Sequence, residues 1–65
     1  MKIYEVNVWE GRHDHKNWLY SNKAKAMEDA KEFLDAPYVS EVWLRVWEYK
    51  DGGMRIVENG PVYDM

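Results

Sequence analysis

Hydrophobic and polar residues alternate with a period of two near both ends of the chain and follow a helical period between them. Lys2 to Glu10 has the strand period, with Tyr4, Val6 and Val8 on one side. The polar residues 11–17 predict a loop, and Trp18-Leu19-Tyr20 predicts a short second strand beside the first.

A helix is predicted from Ala24 to Ala36, because this segment is rich in good helix formers and Pro37 follows it. Ser21 is the predicted N-cap, with Asn22 as a poorer alternative. On a helical wheel the apolar residues gather on one side, namely Ala26, Met27, Ala30, Phe33 and Leu34.

Two further strands complete the pattern. Val39 to Tyr49 predicts the third and longest strand, and Met54 to Glu58 predicts the fourth. Asp51-Gly52-Gly53 between them supplies residues that tolerate the positive φ of a tight hairpin. Asn59-Gly60-Pro61 is expected to end the fourth strand.

The predicted order β-β-α-β-β indicates an α+β fold with residues 1–65 as a single domain. The simplest path takes the helix across the sheet so that strand three pairs with strand one, giving an antiparallel sheet of order 2-1-3-4 with the helix on one face. The side of each central strand that carries only aliphatic or aromatic residues should form the core, which comprises Tyr4, Val6, Val8, Val42, Leu44 and Val46.

The opposite sheet face is also rich in large side chains, and no second helix is predicted to cover it. We expect Trp9 to lie close to Trp43, and Glu5 or Asn7 to lie opposite Arg45. Trp, Tyr and Arg are enriched at binding hot spots because they bury a large area and keep a polar or charged end. The face should carry Ile3, Glu5, Asn7, Trp9, Trp43, Arg45, Trp47 and Tyr49.

Several explanations of this aromatic face stay open. Cross-strand aromatic pairs stabilise a sheet by ~0.2–1 kcal/mol each, and the tail Pro61-Val62-Tyr63 could fold over the face as a lid. The face could instead form a homodimer or bind a foreign macromolecule. Single-stranded nucleic acid could also bind by stacking its bases on Trp9, Trp43 and Trp47. The aromatic residues suit such binding, but the negative net charge of the chain does not.

The predicted helix carries its charges in the order opposite to that favoured by the helix dipole. Lys23 and Lys25 lie in its first turns and Glu32 and Asp35 in its last, and each such charge costs about 0.3–1 kcal/mol near a terminus. One interpretation is a solvated surface. The other is an acidic strip that meets a basic surface of a partner, made of Glu28, Asp29, Glu32 and Asp35.

Length, composition and charge narrow the functional classes to which the protein could belong. A chain of 65 residues without cysteine buries about 60% of the surface that its unfolded form exposes, so aromatic packing or oligomerisation must supply stability. The formal charge is −3, with +2 in residues 1–27 and −5 in residues 28–65, which argues against general nucleic-acid binding. The sequence contains no long apolar run, and we expect a cytoplasmic protein outside the membrane.

The sequence offers little for metal binding or catalysis. His13 and His15 are its only histidines, and two imidazoles one residue apart make a poor metal site without further ligands. We therefore expect no metal and no cofactor. Ser21 is assigned to a helix cap and Ser40 to the start of a strand, so no nucleophile is paired with a base, and the protein is predicted not to be an enzyme.

The layout resembles very small inhibitor proteins of phages and mobile elements, of the anti-CRISPR or host-takeover type. The resemblance is carried by Lys2 to Glu10, by W-L-Y-S-N-K-A-K-A-M-E-D-A-K-E-F and by the hairpin at Asp51-Gly52-Gly53, and it concerns organisation alone. It implies stoichiometric occlusion of a larger protein, such as a nucleic-acid-processing or defence enzyme. The predicted contact residues are Trp9, Trp43, Arg45, Trp47, Tyr49, Glu28, Asp29, Glu32 and Asp35.

Overall fold

Four antiparallel strands and a helix make up residues 1–11 and 14–63, the part of the chain described by a computed structural model. The sheet order is β2-β1-β3-β4, with antiparallel pairing throughout. The predicted α+β fold and strand order are therefore confirmed. In chain order the elements are β1 (Lys2–Glu10), β2 (Asp14–Tyr20), α1 (Lys23–Leu34), β3 (Val39–Lys50) and β4 (Gly53–Pro61).

The core lies between α1 and the sheet. Ala26 and Ala30 are fully buried on the inner side of α1, and their small side chains let the helix approach β1, β2 and β3 closely. Trp18 of β2 stacks on Phe33 of α1, with ring centroids 4.6 Å apart. The predicted core is confirmed, with Tyr4 half-buried at its margin and with one addition from the tail. Its buried members are Val6, Val8, Ala26, Ala30, Val42, Leu44, Val46 and Val62.

The helix begins and ends at residues different from those predicted. Asn22, and not Ser21, is the N-cap, because its Oδ1 accepts the backbone N–H of Lys25 at 3.1 Å. The last helical residue is Leu34, and the N–H of Ala36 bonds the carbonyl of Phe33 at 3.1 Å in a tighter turn. The prediction that the helix runs to Ala36 was wrong because Pro37 disfavours helical geometry in the residue before it.

Strand β2 is longer than the three residues predicted. Residues 14–17, which we expected in a loop, pair with residues 7–10 of β1. They lack a hydrophobic alternation because β2 lies at the edge of the sheet and its side chains are largely exposed. The pairing places His15 and Asn17 on the sheet face opposite α1.

Strand β4 forms the other edge and is also longer than predicted. It follows a tight turn in which Asp51 and Gly52 both have positive φ, at 53° and 80°, as the sequence predicted. It then continues to Pro61. A β-bulge interrupts its pairing with β3 between Val46 and Trp47. The N–H of Val62 donates to the carbonyl of Val42 at 2.8 Å. This bond makes Trp43 and Pro61 a non-hydrogen-bonded pair, so the nitrogen of Pro61 faces the free edge, where proline is tolerated.

Candidate interaction surface

The sheet face opposite α1 is called here the open face, because no described element, in residues 1–11 and 14–63, packs over it. Strand pairing places the five predicted aromatic and arginine contacts together on it. Trp9, Trp43, Arg45 and Trp47 are half-buried and Tyr49 is exposed. These five residues therefore share one surface, on the other side of the sheet from the predicted acidic strip of α1.

The centre of the open face is a polar network around Glu5. Its Oε2 accepts Nδ2 of Asn17 at 3.0 Å, and its Oε1 accepts Nε1 of Trp47 at 3.0 Å. Arg45 lies directly opposite Glu5, as predicted, with Nη1 at 3.6 Å from Oε1. Glu5 is only 8% exposed, although it lies on a face with no covering layer. The side chains around it therefore supply the cover, among them Trp47, Asn17 and Arg45.

The surroundings of Glu5 favour its ionised form. Burial opposes ionisation, but the hydrogen bonds from Trp47 and Asn17 and the charge of Arg45 together outweigh it and lower the pKa of Glu5. The Asn7 amide also lowers this pKa, although its Nδ2 makes no hydrogen bond of normal geometry. The open face thus holds a nearly buried carboxylate in its charged form.

A second group joins β1 to β2 through His15. Its Nε2 lies 2.9 Å from Oδ1 of Asn7, and its ring stacks on Trp9 with centroids 4.4 Å apart and planes 19° apart. Trp9 therefore stacks on His15, and Trp43, which we expected to lie close to Trp9, is not its direct partner across the sheet. Trp9 lies opposite Glu41 and His15, while Trp43 lies opposite Asn7, so the two tryptophans occupy diagonal positions on the open face.

The tail does not cover the open face as far as residue 63, the last described position. Val62 lies on the α1 side, where it is 8% exposed and belongs to the core. Pro61 lies beside Trp43 at the sheet edge, and the Nε1 of Trp43 donates to Glu41 at 3.2 Å. The lid hypothesis is wrong for residues 61–63, because Val62 packs in the core and Tyr63 stays 72% exposed.

One end of the open face exposes a group of large apolar side chains, which we call the apolar end. Strand pairing brings them together from all four strands, around the half-buried Ile3 and Trp47. Leu19 is 67% exposed, and the other three outer members are each 47% exposed. Sequence reasoning missed most of them, because β2 and β4 are edge strands whose register follows only from the pairing. The outer members are Leu19, Tyr49, Met54 and Ile56.

A groove of about 350 Å³ lies between the polar centre and the apolar end. Glu5 and Asn17 are its polar lining residues, and the other lining residues are apolar or aromatic. We call it the Glu5 groove. Its lining residues are Ile3, Glu5, Asn17, Leu19, Trp47 and Met54.

The acidic strip of α1 is partly engaged within the protein. Asp29 accepts the Tyr20 hydroxyl at 2.8 Å and pairs with the Lys25 ammonium at 3.3 Å, and these contacts lower its pKa. The carboxylates of Glu28, Asp29 and Glu32 lie within 4.8 Å of one another. Lys23 pairs with Glu58 of β4 at 3.6 Å. The lysines at the start of α1 therefore each have an acidic partner, which gives the reversed charge order a local structural explanation.

Only one of the two predicted metal-binding candidates lies within the described residues. His13 lies outside the described residues. His15 belongs to β2, where its Nε2 contacts Asn7 and its ring stacks on Trp9. This contact gives His15 a role in joining β1 to β2.

Helix α1 has 12 residues, and within the described residues no helix is long and apolar enough to cross a membrane. Comparisons with protein-family models, with curated proteins and with solved structures found no significant match to this chain.

Proposed function

We propose that this chain is a small, non-enzymatic binding protein that occludes a surface of a larger protein, in the manner of a stoichiometric inhibitor acting in the cytoplasm. The apolar end of the open face is the docking surface. The observation that carries this proposal is the cluster of exposed Leu19, Tyr49, Met54 and Ile56 around Trp47.

A purely structural role accounts for only part of the open face. Trp47 covers Glu5 and bonds to it, so this indole stabilises the sheet itself. The outer members of the apolar end are 47–67% exposed, so the isolated chain buries only part of their surface. Contiguous exposed apolar side chains beside a polar region are typical of interaction sites. We therefore assign the outer members to docking and the polar centre to holding Trp47 in position.

The open face supports protein binding better than the acidic strip does. Asp29 is already bonded to Tyr20 and Lys25, and Glu28 lies 4.0 Å from the same ammonium. A partner that uses this strip must compete with these contacts, whereas the apolar end presents its area unpaired. The open face also has acidic Glu5 and Glu41 beside Arg45, a balance that does not favour nucleic-acid phosphates.

The proposal is tested by affinity capture with a tagged chain and by site-specific photo-crosslinking from position 19 or 56. Leu19→Asp and Ile56→Asp should each abolish recovery of the protein captured by wild type, because both place a charge in the docking surface. Tyr38→Asp is the matched control, since Tyr38 is 63% exposed and lies between α1 and β3, outside the open face. If both groups of variants capture the same protein equally, the proposal is wrong.

Sedimentation of the purified chain at micromolar concentration tests the homodimer alternative. The docking proposal expects a monomer for wild type and for Leu19→Asp. A wild-type dimer that Leu19→Asp dissociates would assign the apolar end to a second copy of the chain, and the proposal of a larger foreign partner would then be withdrawn.

A further inference from the structure

The Glu5 groove is lined by one charged residue and mainly by apolar side chains. Glu5 and Asn17 are the polar residues that line this space of about 350 Å³, and its other lining residues are Ile3, Leu19, Met54 and Trp47. We propose that this groove receives a basic side chain, arginine or lysine, from the docked partner. This inference rests on the proposed function and names the chemistry of one contact in it.

The Glu5 carboxylate has acceptor capacity left for a ligand. An ionised carboxylate offers about four lone-pair sites. Among the described residues, Asn17 donates to Oε2 and Trp47 donates to Oε1. Arg45 adds charge at 3.6 Å, a distance too long for a hydrogen bond. The Oε2 atom therefore receives a single hydrogen bond from the described part of the chain.

The ionised state of Glu5 decides which occupant the groove accepts. An apolar side chain seated there would remove water from the carboxylate without replacing its hydrogen bonds, which is unfavourable. An acidic side chain would add repulsion to that cost. A basic side chain replaces the water with a charge-assisted hydrogen bond, which is stronger than a neutral one. The hydrogen bonds from Trp47 and Asn17 keep the carboxylate charged, and this charge favours a cationic side chain over a neutral or acidic one.

The walls of the groove suit the rest of a basic side chain. Lysine and arginine carry methylene groups that pack on apolar surface while the charged end reaches a polar group. Ile3, Leu19 and Met54 provide that surface beside the carboxylate. The indole ring of Trp47 is a further wall and can interact with the cation through its π-electrons.

The test uses four small probes, monitored by the indole N–H and methyl signals of the protein in NMR spectra. The probes are the N-acetyl methylamides of arginine, lysine, citrulline and norleucine. Citrulline is the neutral counterpart of arginine, and norleucine lacks the ammonium of lysine. We expect saturable shifts at Trp47, Leu19 and Met54 with the two cations, and binding at least about tenfold weaker with the neutral probes.

Glu5→Gln removes the charge from the groove and should abolish the preference for cations. Glu41→Gln is the matched control, because Glu41 lies on the same face and also accepts a Trp indole N–H. It should bind the probes as wild type does. If Glu5→Gln does not fold, Leu19→Ala and Met54→Ala test the walls instead, since both residues are exposed. Each should weaken arginine binding several-fold.

Equal binding of arginine and citrulline would overturn the inference, as would shifts centred on Trp43 or an unchanged preference in Glu5→Gln. If the probes fail while partner capture still depends on Leu19 and Ile56, this inference falls and the docking proposal stands. If the probes bind as expected but capture is independent of Leu19 and Ile56, the docking proposal falls.

Discussion

The indole N–H of Trp47 donates to Oε1 of Glu5 at 3.0 Å, although the two residues are not direct partners in the sheet. Glu5 lies opposite Arg45, and Trp47 lies opposite Ile3, so the bond runs diagonally from β3 to β1. This diagonal bond fixes the orientation of the indole, and the indole lies against the carboxylate. Trp47, one of the two half-buried residues of the apolar end, is therefore held in position by a hydrogen bond to a charged group.

Glu5→Gln should lower the free energy of unfolding by about 1–3 kcal/mol, because the amide of glutamine cannot accept the hydrogen bonds that the carboxylate accepts from both Asn17 and Trp47. Chemical denaturation measures the change. Glu41→Gln should stay within about 0.5 kcal/mol of wild type, because its bond to Trp43 is exposed. Equal effects of the two variants would contradict the polar network described here.

Glu5 should also make stability depend on pH in the acid range. Its pKa in the folded protein is lowered, so its contribution is present above the ordinary value of 4.5 and is lost as the pH falls below that value. Thermal unfolding between pH 6 and the lowest pH at which the chain stays folded should show a loss for wild type. The loss should be smaller in Glu5→Gln and unchanged in Glu41→Gln.

Tyr20 should make stability depend on pH in the alkaline range. Burial, the hydrogen bond to Asp29 and the negative charges nearby raise the pKa of Tyr20 to about 12 from an ordinary value of 10.0. The contribution is therefore fully present below pH 10 and is lost as the pH rises toward 12. Thermal unfolding over this range should show a smaller loss in Tyr20→Phe than in wild type. Tyr38→Phe should behave as wild type, since Tyr38 is exposed and lies outside this contact.

Asn22→Ala should destabilise the protein by about 1 kcal/mol, because it removes the side-chain oxygen that accepts the N–H of Lys25 at the start of α1. Ser21→Ala provides the neighbouring control and should change stability by less than about 0.5 kcal/mol. Denaturant titration compares the two. A larger effect at Ser21 would restore the cap predicted from the sequence.

Val62→Ala should destabilise the protein by about 1–3 kcal/mol, because Val62 is buried in the core between α1 and the sheet. Tyr63→Ala is the control on the next residue, which is 72% exposed, and its effect should be small. Equal stability of wild type and Val62→Ala would mean that the tail does not pack in the core.

The sequence predicted the central part of the fold because its two inner strands carry complete alternating patterns. Val6 and Val8 in β1 and Val42 and Leu44 in β3 identify the buried side of each strand. The α1 segment is amphipathic and the Asp51-Gly52 turn has a specific backbone requirement, so strand order followed from simple connections. Both the order and the core were therefore predicted correctly.

The edges were harder to predict because backbone pairing, and not burial, forms them. The residues before Trp18 in β2 are polar, and Asn59-Gly60-Pro61 has the composition of a turn although it continues β4. The apolar end was missed for the same reason, since Leu19 and Met54 belong to these two strands. Atomic positions were needed to decide whether Ser21 or Asn22 caps the helix. They were also needed to place the tail.

The edges of the sheet also limit how the molecule can assemble. In β4 the bulge interrupts the row of backbone donors, and Pro61 presents no N–H to the free side. On the opposite edge β2 carries the charged Asp14 and Lys16, which discourage pairing with another chain. The β4 edge therefore offers no continuous row of backbone donors for strand addition. Contacts of another molecule with this edge would therefore have to form through side chains and not through backbone pairing.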